Sequence, residues 1–326
     1  MPAAPHKFGV PIELSRVLPH LEIMRITVNH TELYFDVEGP ELAIAGDELR
    51  RRPTLVVLHG GPGFDQGYLR PGLRALAADA QLVFVDLRGQ GRSAMAPLES
   101  CTLEQMADDI AALCPALGIE RPLVFGHSAG GFVALQLALR HPDLASGLIL
   151  CHTAPTLASV PEPDSPPGPA QRGGPASGDA ATRLFAGDFA PEVLQAFQRL
   201  VLPLYAAPGH QDLPARLITL TALNADIAAN FFQRLAPNYD VRPHLATITA
   251  PTLVIVGRHD WVCQPAAGRA LADSIPDARL VELSDAGHFG FSETPEPFLH
   301  AVREFLARVE ADPPTDEPAL QTQPAR

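Results

Sequence analysis

The sequence predicts an α/β protein: a mostly parallel, doubly wound sheet with a helical cap inserted into it. Three observations carry this. Short buried apolar runs alternate with stretches of helical period, an antiparallel hairpin pattern precedes them, and the alternation breaks once, between about residues 156 and 243. The expected division is 1–155 for the first part of the core, 156–243 for the cap and 244–326 for the second part of the core, ending in a disordered tail. A chain of 326 residues, 46% of them hydrophobic, is long enough to bury one large core and carry such an insertion.

Residues 1–20 hold four prolines and few periodic apolar positions, so they are expected to form an arm on the surface or on a neighbouring subunit. Residues 23–28 and 32–37 alternate apolar and polar side chains in the manner of a β-hairpin. Buried strands are expected near 54–58, 81–87, 122–127, 146–151, 252–257 and 279–283. Thr102-Leu103-Glu104-Gln105 reads as a capping box ahead of a helix over 106–113, with Asp108 and Asp109 on its solvated face. In the insertion, the Pro/Gly-rich run over 161–178 is expected to be a mobile linker, followed by helices at about 191–202, 213–223 and 225–235. The polar, proline-bearing stretch 310–326 is the expected disordered tail.

Sheets of this kind bind ligands at the carboxyl ends of their strands, and the chemically informative segments fall there. Gly126-His127-Ser128-Ala129-Gly130 puts Ser128 at a sharp strand-to-helix turn, the G-x-S-x-G pattern of a nucleophile elbow. Its glycines leave room where Cβ atoms would collide with the strained turn. Asp260 follows the strand at 252–257, and His288 ends the loop after the strand at 279–283. A serine hydroxyl is a poor nucleophile until a base takes its proton, and a histidine oriented by a carboxylate does so near neutral pH. Asp285 competes with Asp260 as the acid, but its loop position reads better as a turn residue.

A tetrahedral intermediate also needs two backbone donors. The candidates are the amide of Ala129, at the start of the helix after Ser128, and that of Gly61 in His59-Gly60-Gly61-Pro62-Gly63, directly after a strand. No Gly-Lys-Ser, Gly-Lys-Thr or G-x-G-x-x-G occurs there, which argues against a nucleotide site. The segment Asp86-Leu87-Arg88-Gly89-Gln90-Gly91-Arg92-Ser93 is expected to brace the turn beside this loop.

Together these motifs, with Val256-Gly257-Arg258-His259-Asp260 and Cys263 soon after, resemble proline iminopeptidases and their relatives in the α/β-hydrolase superfamily. The chain order Ser, Asp, His is the order of that superfamily. The likeness covers residues 23–155 and 244–309, and it implies an α/β-hydrolase fold that cleaves the amide bond after a small N-terminal residue, such as proline. An acidic cap residue would then bind the substrate ammonium; Glu192, Asp188, Asp212 and Asp226 are the candidates. Such enzymes usually carry a tryptophan after the nucleophile and a Trp-Glu motif in the cap. Here Ala129 follows Ser128, and the only tryptophan is Trp261.

Those differences, and a cap rich in aliphatic and phenyl groups, leave a carboxylesterase or lactonase as the alternative. Gly60, His127, Phe231, Phe232 and Trp261 are candidate substrate contacts, with core packing as the other reading of His127 and the phenylalanines. A non-catalytic binding protein on the same scaffold is a third reading; the filled nucleophile, acid, base and donor positions disfavour it.

The formal net charge of −13 argues against nucleic acid and anionic membrane surfaces, which need clustered Lys and Arg. No stretch approaches the roughly 18 apolar residues that span a bilayer, and no apolar segment follows the N-terminal charges. Cys101, Cys114, Cys151 and Cys263 form no C-x-x-C pair and fall in or beside predicted core elements, so reduced thiols and a cytoplasmic location are expected. The twelve histidines include no H-E-x-x-H, no H-x-H and no ligand-type Cys/His spacing, so neither a metal nor a cofactor is expected. The expected partner is a small-molecule or short-peptide substrate.

Overall fold

The computed structural model describes residues 24–45, 48–158 and 165–311. β1 (Arg25–Val28) and β2 (Thr31–Glu38) form the expected hairpin, while β3 (Leu42–Ala45) and β4 (Glu48–Arg51) pair only with each other. The apolar runs become β5 (Thr54–Leu58), β6 (Gln81–Val85), β7 (Leu123–His127), β8 (Gly147–Cys151), β9 (Thr252–Gly257) and β10 (Ala278–Leu283). Between the core strands lie α1 (Arg70–Leu73), α2 (Leu103–Ala116) and α3 (Ala129–Arg140). The cap holds α4 (Pro169–Gly173), α5 (Pro175–Phe185), α6 (Pro191–Leu200), α7 (Leu213–Ile218) and α8 (Ala225–Asn230). Then come α9 (Pro265–Ser274), α10 (Gly290–Glu293) and α11 (Pro295–Ala311).

The main sheet runs β1-β2-β6-β5-β7-β8-β9-β10, parallel from β6 to β10, with β2 joined antiparallel to β6. Side chains alternate across it. In β5, Leu55 and Val57 pack with Leu73 of α1 and Phe298 and Val302 of α11, whereas Val56 and Leu58 pack with residues of α2, α3 and α9. Helices therefore cover both faces, which is why the strands read as unbroken apolar runs. The chain leaves β5 for β6 on one side and returns to β7 on the other. The crevice where strand order reverses thus opens between the ends of β5 and β7, beside His59–Gly63 and Ser128.

Several local expectations are corrected. Residues 169–173 and 175–178, read as part of a linker, are helical, with Gly174 between them. Pro169 and Pro175 occupy the first helical position, where a missing N–H costs nothing, each preceded by a glycine. α7 stops at Ile218, and α8 gives way to a wider π turn over Phe231–Leu235. The β3–β4 hairpin had no counterpart in the sequence reading; its Ile44 and Leu49 are exposed. Glu310 and Ala311 continue α11, while the rest of the expected tail, and the expected N-terminal arm, lie outside the described residues. Among the described residues, no helix is long and apolar enough to cross a membrane.

The capping box closes on one side only. Thr102 Oγ1 accepts the Gln105 amide at 3.1 Å, but the Gln105 side chain turns to Asp109 Oδ1 at 3.0 Å. Asp109 is not on a solvated face. It is 1% exposed and meets Arg88, 5% exposed, through Nε and Nη2 at 2.7 Å each, with Asn29 Nδ2 at 3.1 Å. Asp108, by contrast, faces outward to Arg140 and His141. The Asp109 carboxylate thereby ties α2 to the β1–β2 turn and to the loop after β6. Asp109→Ala leaves a guanidinium buried without its partner, so the expected loss is about 3–5 kcal/mol. A urea melt should show a lower midpoint at unchanged slope; a loss under about 1 kcal/mol would mark the pair as no stronger than a surface contact.

Candidate active site

β7 ends at His127 and α3 starts at Ala129, which leaves Ser128 between them at φ 53° and ψ −120°. An L-residue holds that conformation only under constraint. The constraint is close backbone approach: a Cβ on Gly126 would stand 2.5 Å from the Gly130 carbonyl oxygen, and one on Gly130 would strike the Leu58 and His59 carbonyls. The Ser128 amide donates to Cys151 O at 3.0 Å, and the Thr153 hydroxyl donates to Ser128 O at 2.8 Å. The neighbouring strand end therefore fixes the turn that presents the hydroxyl.

Asp260 lies just past β9, fully buried. Its Oδ1 accepts the amides of Val262 at 2.9 Å and Cys263 at 3.0 Å, and its Oδ2 stands 2.8 Å from His288 Nδ1. Burial alone would raise this carboxyl, but the neighbouring histidines and their hydrogen bonds reverse that and hold it well below the usual carboxylate range. An ionised Asp260 keeps the His288 proton on Nδ1, leaving Nε2 for proton exchange. Asp285, the competing acid, is exposed and takes the Ser284 hydroxyl at 3.1 Å.

The loop that carries His288 is held from several directions. Its own amide donates to Tyr205 O at 2.7 Å, and its carbonyl accepts from His127 Nε2 at 2.8 Å. The flanking amides of Gly287 and Phe289 each donate to the buried Glu293 carboxylate at 2.9 Å, and the cap contributes the Ala207 amide to the same carboxylate at 2.7 Å. Because the His288 carbonyl can only accept, the His127 proton must sit on Nε2. On the other side, His127 Nδ1 therefore accepts the Tyr68 hydroxyl at 2.7 Å, while Tyr68 Oη accepts the Gly60 amide at 2.8 Å. Burial first, and then His288 and His152, push this ring well below the ordinary histidine range, consistent with the neutral form that the pattern requires.

The loop after β5 is braced by the segment after β6. His59 Nδ1 donates to Gly60 O at 2.9 Å while its Nε2 accepts the Leu87 amide at 3.0 Å, and Gln90 Oε1 accepts the Gly63 amide at 2.8 Å. Asp86 takes the Gln66 and Arg92 amides. Gly61, at φ 136°, lines the cavity over Ser128. The Ala129 methyl packs in the core, but its amide is the first of α3 and has no intrahelical acceptor. Neither amide has a hydrogen-bond partner among the described residues, so both remain available to an anion.

Ser128, His288, Gly61 and His127 line one cavity of about 330 Å³. Phe185, Phe189, Phe197 and Phe232 of the cap form much of its wall, and Phe64 and Phe289 of the core complete it. Of the candidate contacts, Phe232 does line it. Phe231 does not: it stacks on Phe132 at 10° in the core, because the π turn directs its neighbour, not Phe231 itself, to the cavity. Trp261 lies behind the wall, packed on Phe185 and Tyr205, with Nε1 donating to Leu204 O at 2.9 Å. Gly60 is also outside the lining; its amide is taken by Tyr68, and a Cβ there would stand 2.8 Å from His127 O. His127 reaches the cavity, but both its nitrogens are committed to bracing.

No carboxylate lines this cavity among the described residues. Asp188 and Glu192 face Arg183 on the outside of the cap, and Asp212 and Asp226 are exposed. The side chains that could ligate a metal converge in one described place, His152, Asp260 and His288, within 4.8 Å of one another. Tyr68, Tyr205 and Glu293 were missed by the sequence reading. Their partners lie far away in the chain, and no local pattern marks them.

The family described as alpha/beta hydrolase fold matches residues 53–295. A putative carbamate hydrolase RutD of Caulobacter sp. (strain K31) is 31% identical over 282 residues, 83% of this chain and 97% of that protein. Proline iminopeptidase PfmaB of Pestalotiopsis fici is 27% identical over 303 residues, 87% of this chain and 99% of that one. Among solved structures, the enol-lactonase from Burkholderia xenovorans LB400 superposes with a TM-score of 0.67 at 28% identity, covering 87% of this chain and 99% of its own.

Glu293→Gln keeps the size of the side chain but replaces one acceptor oxygen by a donor, opposite an amide N–H. The expected cost is about 1–3 kcal/mol in thermal or urea unfolding. An unchanged melt would contradict the clamp described for the His288 loop.

Proposed function

Because this chain belongs to the alpha/beta hydrolase fold family, we propose that it is a cofactor-independent serine hydrolase acting on carboxylic esters, lactones included, that carry an apolar group. The observation that carries this is the chamber over Ser128 and His288, walled by phenyl rings and, among the described residues, lined by no carboxylate. A substrate ammonium would be stripped of water there without a counter-charge, at a cost of several kcal/mol. An ester needs only apolar contact and donors for its carbonyl oxygen.

In this reading Ser128 Oγ attacks the carbonyl carbon while His288 Nε2 takes its proton, and Asp260 steadies the resulting imidazolium. The amides of Gly61 and Ala129 receive the oxyanion. As the C–O bond to the alcohol breaks, His288 returns the proton to the leaving oxygen. Water then attacks the acyl-enzyme by the same route and releases the acid. The four buried, unpaired thiols fit a reducing cytoplasm.

Similarity to a proline iminopeptidase supports a second reading, amide cleavage after an N-terminal residue. The exposed positions of Glu192, Asp212 and Asp226, and the pairing of half-buried Asp188 with Arg183, weigh against it. Initial rates on aryl esters of short and medium acyl chains, a lactone, an aryl carbamate, and prolyl and alanyl anilides separate these. Ester or lactone turnover is expected to lead, with Ser128→Ala and Asp260→Asn each lower by about 10⁴-fold. Anilide turnover that disappears when the substrate amine is acetylated would move the assignment to an aminopeptidase, and full ester turnover by Ser128→Ala would overturn the serine mechanism.

A further inference from the structure

A second histidine contacts the buried acid. His152, the residue after β8, is fully buried and held in a left-handed backbone conformation at φ 48°. Its Nε2 accepts the Gly290 amide at 3.1 Å, so its ring proton must sit on Nδ1. That Nδ1 lies 3.3 Å from Asp260 Oδ2, the same oxygen that His288 Nδ1 meets at 2.8 Å. The approach is off-line, and among the described residues this N–H has no other acceptor. A Cβ on Gly290 would stand 2.6 Å from His152 Nε2, so the amide that fixes the tautomer reaches the ring because residue 290 is glycine.

The surroundings add little competing charge. His127 from the end of β7 and His288 from the base loop each face the His152 ring at 5.9 Å between centroids, and His127 is kept neutral by burial. Burial pushes Cys151, Cys263 and the cap's Tyr205 up, so these too stay uncharged. Glu293, beyond the base loop, is engaged by three amides. Asp260 is then the charge that His152 and His288 share.

We propose that His152 is a positioning residue: its Nδ1–H fixes the orientation of the Asp260 carboxylate and moderates how strongly that carboxylate supports protonated His288. The inference rests on the Ser128, His288 and Asp260 mechanism above. Without this N–H, Oδ2 serves His288 alone. Protonated His288 is then favoured, and a higher pH is needed to free the base.

Two measurements test this. In the unaltered protein at neutral pH, nitrogen-15 NMR of the ring nitrogens should find His152 protonated at Nδ1 and bare at Nε2. A proton on Nε2 would overturn the proposal. This readout needs no substrate, so it is independent of whether esters prove to be the substrates. In parallel, His152→Leu should raise the midpoint of the acid limb of kcat/KM by about half a unit or more. His152→Asn, whose amide supplies a donor near Nδ1 and which tolerates left-handed backbone, should restore the limb. A limb unmoved in a folded His152→Leu, or moved equally in His152→Asn, contradicts the proposal; should the leucine variant not fold, the tautomer measurement decides.

Discussion

The 2.8 Å contact between the Asp260 carboxylate and the His288 ring sets the terms for the parts around it. A carboxylate with no exposed surface is tolerated only where donors replace its water. Here they come from separate segments: two amides just beyond Asp260 and the His288 ring from the loop after β10, with the His152 ring from the end of β8 standing 3.3 Å away. Those segments meet because β8, β9 and β10 are parallel neighbours whose carboxyl ends lie at the same edge. The parallel sheet, with helices on both faces, is therefore what makes a buried acid–base pair affordable at this position.

The cap belongs to the same support. Its 204–207 segment, at the end of a short 3-10 turn, is gripped by Arg172 through the Leu204 and Ala206 carbonyls, by Trp261 Nε1, and by Glu293 through the Ala207 amide. The Tyr205 carbonyl in turn holds the His288 amide. A segment that walls the cavity over Ser128 thus also positions His288, so disturbance of the cap should reach the His288 loop without any change in Ser128, Asp260 or His288. Apolar burial within the cap, around Leu184, Val193 and Phe197, keeps that segment in place.

That Ser128, Asp260, His288 and Gly61 lie at one edge of the sheet was legible in the sequence, because each falls within five residues of the carboxyl end of a short apolar strand, a local pattern. Tyr68, His152 and Glu293 were not. Tyr68 acts on His127 59 positions away, and Glu293 on Ala207 86 positions away. Helical period alone could not separate Phe231 from Phe232, since the π turn that divides their roles has no clear composition of its own. Composition also misread 169–178, where proline initiates helices rather than keeping the chain open. Asp109 looked solvated for a similar reason: its guanidinium partner is 21 residues away, across a turn.

The most direct test is to mix the protein with a reactive aryl ester, quench in acid within the first turnover, and map the acyl adduct by peptide mass spectrometry. A serine acyl-enzyme requires close to one acyl group per chain, on the peptide that contains Ser128, and none in Ser128→Ala. An adduct on Cys263 or another residue, or steady ester turnover with no adduct on Ser128, would contradict the mechanism.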